Sequence, residues 1–469
     1  MRTLPYSGPP LALHVVGILL AGVLLAGIVG TVPVPLVAGG ALAVAFLVLF
    51  LTHPAVGLLF VLLVRASTDL TLGFLAVVGP ADEIAGGLVN IGVVLILVLA
   101  GGLTILSRNV LIFALPGGRL LALLLLTGVV GMLRSEGIIS SMNEWVPVLA
   151  SLIVYALSSD LYSTPRKLQR VVDVLSASFV LPAVLGLYQL ATRQGVTRSE
   201  FPVPAVVGTF LHPNTFGFYL VLIVAVFLGQ ALTQRGARKA MAAAALCVAL
   251  VLLTATFARV AWAGVLVVFL VVGIVRARIL LVAVPLILPI LLGFVPTLLA
   301  RVTDPFGAGG SLADRLYNLW PATLQAWLLA TEAGGGGFLA AVNRIVGLGP
   351  GIGPAQARYG LAFIPHNDYL RILVEYGILG LTLYIGLIGV LMIVAFRVWR
   401  ASKSAAPTTQ AIALTFLPLT LAFPAMSITD NVFAHTVNQV YFWTLAGLTV
   451  TIGRLVGCIA VPPRPNTDT

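Results

Sequence analysis

The sequence contains little charge and almost no cysteine. Only 9% of its 469 residues carry a formal charge, whereas about a quarter of an ordinary soluble domain is charged. Apolar residues make up 60% of the chain. This composition excludes a water-soluble enzyme and indicates a polytopic membrane protein. With only Cys247 and Cys458 present, neither a disulfide framework nor a thiolate metal site is expected.

Long apolar runs, separated by charged or Pro/Gly-rich segments, predict an all-α bundle of transmembrane helices. A helix needs about 20 apolar residues to cross the hydrocarbon core of a bilayer. Fourteen runs qualify, although the third is short and the total is uncertain by about two. They lie near residues 11–30, 33–52, 54–66, 84–106, 115–133, 142–158, 170–191, 207–231, 239–258, 259–275, 279–299, 369–396, 409–428 and 436–456. We expect residues 1–469 to form a single integral membrane domain.

Lysine is scarce, and its positions predict the orientation of the chain. Basic residues in short loops resist translocation across the membrane. With both termini in the cytoplasm, all three lysines fall inside, and the outer basic residues are all arginines. The outer set is Arg65, Arg134, Arg193, Arg198, Arg259, Arg301, Arg315, Arg344, Arg358 and Arg371. The net charge of +11 is thus divided between two membrane faces, and we expect no nucleic-acid partner.

Residues 299–365 form a long outer segment between two predicted spans. Loops of this length are usually functional or disordered. Residues 311–330 have apolar side chains at helical spacing with Arg315 on the opposite face, which predicts a helix lying on the membrane surface. Pro321 is expected to kink or split that helix.

Arginines without lysines at the outer face indicate a recognised anion. A guanidinium is always charged, and its fork of donors matches phosphate oxygens. The plainer alternative for any one of them is a lipid headgroup or a neighbouring carboxylate. Arg259 is distinctive because it lies between two apolar runs with no acidic residue nearby in the sequence. We therefore predict that an anion or a water-filled cavity faces Arg259.

His366 is one of only five histidines, and it lies where the long outer segment re-enters the membrane. The unpaired N–H groups at a helix start favour negative charge. Asn367 or Asp368 is expected to cap the helix. Capping does not explain His366, whose imidazole can accept a proton from a hydroxyl or donate a hydrogen bond to a phosphate oxygen.

A third polar group, His212-Pro213-Asn214, opens the predicted span at 207–231. Pro213 suits the first turn of a helix. His212 is a weak metal ligand because no Asp, Glu or Cys lies nearby in the sequence, so a structural turn is the favoured interpretation. The glycine run at 347–353 follows no strand, which excludes a nucleotide-binding loop. No cofactor and no metal are expected.

Several ordered motifs resemble the signature of the O-antigen ligase and polymerase superfamily. They are Arg315 followed by Trp320, then Gly347-Leu348-Gly349-Pro350-Gly351, His366-Asn367-Asp368-Tyr369-Leu370 and Glu375-Tyr376-Gly377-Ile378-Leu379-Gly380, with upstream matches at 208–214 and 256–259. The resemblance covers the chain from about 193 to 380. It departs from the family at Ala258, where serine is more usual, and in our count of fourteen spans where about twelve are typical.

The resemblance implies a metal-independent, inverting glycosyltransferase of the C-type membrane fold. Such an enzyme takes a glycan from undecaprenyl diphosphate on the outer face of the bacterial inner membrane. By this resemblance His366, Arg259 and Arg315 would be catalytic, with the histidine orienting or deprotonating the acceptor hydroxyl and the arginines stabilising the leaving diphosphate. The substrate-binding residues would be Arg193, Arg198, Arg301, His212, Asn214, Asn367, Tyr369 and Trp320.

Three alternatives stay open at this point. The acceptor is either lipid A core, making the protein a ligase, which we favour, or a growing carrier-linked chain, making it a polymerase. A transporter of lipid-linked glycan is less favoured because the charges cluster at the ends of the spans instead of the bilayer midplane. An inert scaffold for envelope-glycan assembly is the third. The sequence does not indicate the sugar, the linkage or the oligomeric state.

Overall fold

The computed structural model describes residues 34–68, 82–135, 138–197, 203–294, 311–332, 337–351 and 365–461. The predicted first span at 11–30 and the candidate site residues Arg198 and Arg301 lie outside the described residues. Within the described ranges the secondary structure is helical, apart from one isolated bridge between Val196 and Ala205. The protein is therefore an all-α membrane protein, as its composition predicts.

Sixteen labelled helices cover most of the described chain. They are α1 (Val34–Thr52), α2 (Pro54–Arg65), α3 (Asp82–Ser107), α4 (Gly118–Met132), α5 (Ile138–Leu161), α6 (Pro165–Ser178), α7 (Val180–Thr192), α8 (Pro213–Thr233), α9 (Gly236–Ala255), α10 (Arg259–Val275), α11 (Ile279–Phe294), α12 (Trp320–Glu332), α13 (Gly337–Val346), α14 (Asp368–Ala401), α15 (Pro407–Met426) and α16 (Thr436–Leu455). A helical turn (Ser311–Asp314) and a π-helical turn (Arg315–Leu319) precede α12. Short 3-10 turns lie before α4 at Ile112–Ala114, after α14 at Ser402–Ser404 and before α16 at Val432–Ala434.

The helix boundaries follow the apolar runs closely, and local chemistry accounts for the differences. Pro213 occupies the first turn of α8, so that helix begins later than the apolar run that starts at residue 207. The predicted span at 170–191 is divided at Phe179 into α6 and α7. Thr164 caps the start of α6 by accepting a hydrogen bond from the backbone N–H of Lys167 at 3.4 Å.

Six segments in the described part of the chain are long and apolar enough to cross a membrane. They cover Ile138–Leu161, Pro165–Thr192, Pro213–Thr233, Gly236–Ala255, Asp368–Ser404 and Pro407–Met426. Shorter apolar helices, including α2, α4 and α10, lie beside them. Helix α8 is the most enclosed of the six, with 89% of its apolar window buried inside the protein.

Small residues allow the central helices to approach closely. A Cβ on Gly217 of α8 would lie 2.9 Å from the Cβ of Ala261 in α10, and a Cβ on Gly264 would lie 2.3 Å from the sulfur of Met426 in α15. Close backbone approach through glycine and alanine is the usual packing mode of helices in lipid, where apolar burial gives no driving force for association. These contacts fix α8, α10 and α15 against one another.

The helix directions bring the starts of α8, α10, α14 and α16 and the ends of α9 and α15 to one end of the bundle. We call this the Asp430 end, after the residue in the turn between α15 and α16. At the opposite end, Arg108 forms an ion pair with Asp160 at 2.7 Å, and Arg454 donates to the carbonyl of Ser159 at 3.1 Å. The site described next lies at the Asp430 end.

Candidate functional site

Asp430 is the centre of a buried polar cluster contributed by four parts of the chain. Its Oδ1 lies 3.0 Å from Nδ1 of His366, and its Oδ2 accepts a hydrogen bond from the side-chain amide of Asn214 at 2.9 Å. Nη2 of Arg315 lies 3.7 Å from Oδ2. The carboxylate is only 4% exposed. We call Asn214, Arg315, His366 and Asp430 the Asp430 cluster.

The turn that carries Asp430 is held by backbone hydrogen bonds from the end of α15. The N–H of Asp430 donates to the carbonyl of Met426 at 3.1 Å, and Ser427 donates to Phe423 at 2.9 Å. Oδ1 of Asp430 also accepts from the backbone N–H of Asn431 at 2.9 Å. The carboxylate therefore has a fixed orientation before any substrate binds.

His366 lies in a strained backbone conformation just before α14. Its φ is +47°, in the left-handed region that non-glycine residues rarely adopt. Asn367 caps the helix through its side-chain oxygen, which accepts from the N–H of Leu370 at 3.1 Å, as the sequence predicts. The indole N–H of Trp320 donates to the carbonyl of Pro365 at 2.9 Å. These bonds hold the imidazole toward Asp430 while 42% of the side chain stays exposed.

Arg315 begins the π-helical turn that precedes α12. The helix predicted over residues 311–330 is thus divided just before Pro321, the residue expected to kink or split it, and Arg315 is buried in the protein. The guanidinium is 10% exposed and donates from Nη1 to the carbonyl of Thr429, next to Asp430. Apolar neighbours such as Leu324 and Leu328 remain exposed on the other side. The helix therefore directs its cation inward and its apolar stripe outward, as expected for a helix at a membrane surface.

Neighbouring groups keep Asp430 ionised despite its burial. Burial is the largest influence on its pKa and acts to raise it, but the hydrogen bond with His366, the charge of Arg315 and the hydrogen bond from the backbone N–H of Asn431 act in the opposite direction. The pKa of Asp430 is consequently below the ordinary value of 3.8. A carboxylate that pairs with Nδ1 of an imidazole fixes the tautomer and leaves Nε2 as the basic nitrogen.

Arg259 lies at the same end of the bundle as the cluster. It is the first residue of α10 and is half-buried. Ala258 and Ala261 pack against Gly217, one turn along α8 from Asn214, and Gly264 packs against Met426, the last residue of α15. Arg259 therefore begins its helix at the level of Asn214 and Asp430.

The remaining predicted site residues take several positions. Arg193 directly follows α7, in the left-handed region with φ +55°, and is exposed. His212 caps α8, because its Nδ1 accepts from the N–H of Asn214 at 3.1 Å. The hydroxyl of Tyr369 donates to the carbonyl of Pro424 at 3.0 Å. Trp320 and Tyr369 thus hold backbone near the cluster, and their stacking on a sugar stays a prediction.

No local motif in the sequence marks Asp430 as a site residue. The available signal was its position, a single acidic residue in the short connection between the last two predicted spans, on the same side as His366. Among the described residues, no group of three or more His, Cys, Asp or Glu side chains has an arrangement that could hold a metal ion.

The cluster combines a base with fixed positive charge. An imidazole oriented by a buried carboxylate is suited to accept a proton from a hydroxyl. The guanidinium groups of Arg315 and Arg259 are suited to an anionic group that gains charge during a reaction. This combination fits group transfer from an anionic leaving group to an alcohol.

Part of the chain matches a known protein family. Residues 242–385 match the family model described as O-Antigen ligase. The match includes Arg259, Arg315 and His366 and leaves Asn214 and Asp430 outside it. No curated protein gives a significant match to the chain. Over residues 242–385 this membrane protein is therefore similar to the O-antigen ligase family.

Proposed function

We propose that the protein is an inverting glycosyltransferase that moves a glycan from undecaprenyl diphosphate to an acceptor hydroxyl, with lipid A core as the favoured acceptor. The observation that carries the proposal is the 3.0 Å pair between His366 Nδ1 and Asp430, with Arg315 on the same carboxylate. The family match over 242–385 supports the class of reaction.

In the proposed reaction, Nε2 of His366 accepts the proton of the acceptor hydroxyl as its oxygen attacks the anomeric carbon. The bond between that carbon and the diphosphate oxygen breaks on the opposite face, so the configuration inverts. Both electrons of the broken bond go to the diphosphate. We assign Arg259 and Arg315 to the stabilisation of this charge, a role that in comparable oxyanion sites contributes about 2.7–4 kcal/mol per donor.

We further propose that the Asp430 end faces the outside of the bacterial inner membrane. The support is the position of lysine: Lys167, Lys239 and Lys403 lie beside helix ends at the opposite end of the bundle. Lysine and arginine accumulate in cytoplasmic loops. Undecaprenyl diphosphate carries its anionic group at the headgroup level, where Arg259 and Arg315 would meet it.

Purified full-length protein tests the proposal with a defined undecaprenyl-diphosphate oligosaccharide and lipid A core. We expect one glycan to be transferred to lipid A core, and we expect His366→Ala to reduce the rate by about 10² or more. Normal transfer by His366→Ala would contradict the assignment. A ladder of lengthened carrier-linked glycan in the absence of core would identify a polymerase instead of a ligase.

A further inference from the structure

A second carboxylate lies two residues after His366 and has no role in the proposed reaction. Asp368 is the first residue of α14 and is fully buried, with 0% of its side chain exposed. Its backbone N–H donates to the carbonyl of Ser427 at 2.9 Å. A buried carboxylate carries a large desolvation penalty unless it is hydrogen-bonded and paired, so its partners indicate its purpose.

Both oxygens of Asp368 are engaged by the protein. Oδ2 accepts from the hydroxyl of Ser427 at 2.8 Å and from the backbone N–H of Phe433 at 3.0 Å. Oδ1 lies 3.2 Å from Nη2 of Arg371, one turn along α14. With no exposed surface and both oxygens occupied, Asp368 is not suited to contact a substrate.

The two partners of Oδ2 lie at opposite ends of the segment that presents Asp430. Ser427 follows the last residue of α15, and Phe433 belongs to the 3-10 turn before α16. Asp430 is between them. Asp368 therefore binds both ends of the 427–433 segment, while its own backbone is only two residues from the imidazole that Asp430 contacts.

We propose that Asp368 is a positioning residue that sets the separation and orientation of His366 and Asp430. The side chain links the start of α14 to the 427–433 segment, so that neither partner of the pair moves without the other. The part of this inference that concerns catalysis rests on the proposed function. The part that concerns the separation and orientation of the two side chains does not.

Another carboxylate near Arg371 supplies a matched control. Its guanidinium is near three carboxylates: Asp368, Glu375 at 3.8 Å and Glu144 at 3.9 Å. Glu144 is 47% exposed and belongs to α5. Glu144→Gln removes one carboxylate from Arg371 but leaves the link to Ser427 and Phe433 intact.

A double-mutant cycle tests the proposal in the full-length protein, with the transfer assay described above. We expect Asp368→Ala to lower kcat by about tenfold or more with KM changed less than about twofold, because positioning affects the reacting groups and not binding. Asp368→Asn, which retains one acceptor oxygen, is expected to recover part of kcat. In an Asp430→Ala background, Asp368→Ala should have little further effect. Glu144→Gln should keep the normal rate.

Two results would overturn the proposal. The first is a normal kcat for Asp368→Ala. The second is a double variant whose kcat falls by the product of the two single losses, which would show that Asp368 does not act through Asp430. A cryo-EM structure of Asp368→Ala provides a readout independent of activity: we expect the His366–Asp430 hydrogen bond to be lost, and its retention would contradict the proposal. If the wild-type protein transfers no glycan, the proposed function fails, and this structure still decides the role of Asp368.

Discussion

At the scale of single residues, the site depends on one carboxylate that contacts an imidazole, a guanidinium and an amide. Asp430 orients the imidazole of His366, accepts from Asn214 and lies near the guanidinium of Arg315. One residue therefore determines both the basic nitrogen of the histidine and the position of an arginine. Its replacement should therefore slow the reaction although the carboxylate is almost fully buried.

Asp430→Asn tests the importance of this carboxylate for the reaction. The amide has nearly the same shape, but it removes the negative charge that supports the imidazole as a base. We expect kcat for glycan transfer to fall by about 10² or more. Asp173→Asn is the matched control, because Asp173 pairs with Arg238 at 3.8 Å on the exposed surface near the opposite end. An Asp430→Asn protein as active as this control would contradict the assignment.

The lowered pKa of Asp430 predicts how stability depends on pH. Because the folded-state pKa is below the ordinary 3.8, the ionised carboxylate stabilises the fold above about pH 3.8, and this contribution is lost as the pH falls through the folded-state value. We expect the thermal midpoint of the wild-type protein in detergent to exceed that of Asp430→Asn by a constant amount at neutral and mildly acidic pH. The difference should decrease only below about pH 4. A difference that increases on acidification would have the wrong sign.

At the scale of helices and turns, the sequence predicts regular elements well and the geometry of their interruptions poorly. The boundaries of α9, α10, α15 and α16 lie within a few residues of the apolar runs, because the bilayer demands continuous apolar helices. Prolines mark both interruptions, because Pro182 follows the division at Phe179 and Pro321 follows the π-helical turn that starts at Arg315. The prolines do not determine the π-helical geometry or the burial of Arg315.

The candidate site shows the same contrast between local patterns and contacts made by distant parts of the chain. Arg315 and His366 lie in recognisable local motifs, and His366 is at a predicted helix start. Asp430 is 64 residues from His366 along the chain, and its turn has no distinctive motif. The role of Asp430 comes from the packing of α14 against α15, which a single sequence does not reveal.

Glycines allow the chain just after α13 to pack against α14. We call Gly347, Gly349 and Gly377 at this contact the glycine junction. The N–H groups of Leu348 and Gly349 donate to the carbonyls of Val374 and Glu375 at 2.9 and 3.0 Å. Gly377 interrupts α14 with φ +69°, and a Cβ at this position would lie 2.3 Å from the carbonyl oxygen of Ile345. The junction therefore connects the long outer segment to the helix that follows His366.

Gly377→Ala is expected to disrupt this junction. The left-handed backbone and the clash with Ile345 should together destabilise the protein by about 1–3 kcal/mol or more. Gly389→Ala in the same helix is the matched control, since a Cβ there meets no atom within 4 Å. Thermal unfolding in detergent compares the two variants. Equal midpoints would show that the junction does not require glycine at 377.

At the scale of the whole molecule, charge is distributed unequally between the two ends of the bundle. The three lysines lie toward one end, and Arg259 and Arg315 lie at the other with the Asp430 cluster. This asymmetry predicts the orientation of the protein in the membrane. It also predicts that the anionic headgroup of a lipid donor is bound on the outer side.

Cysteine labelling tests the orientation. In a background with Cys247 and Cys458 replaced by alanine, Arg134→Cys should react with a membrane-impermeant maleimide added to intact spheroplasts. Lys403→Cys should react only after the membrane is permeabilised. Both positions are exposed in the protein. The reverse labelling pattern would place the Asp430 end in the cytoplasm and contradict an outer-face transferase.

The most direct test of the central claim is a cryo-EM structure of the full-length protein with an undecaprenyl-diphosphate oligosaccharide bound. We predict that the diphosphate lies within hydrogen-bonding distance of Arg259 and Arg315. The face of the anomeric carbon opposite the diphosphate should be open to His366, which still pairs with Asp430. A diphosphate bound at the opposite end of the bundle, or out of reach of both arginines, would contradict the account.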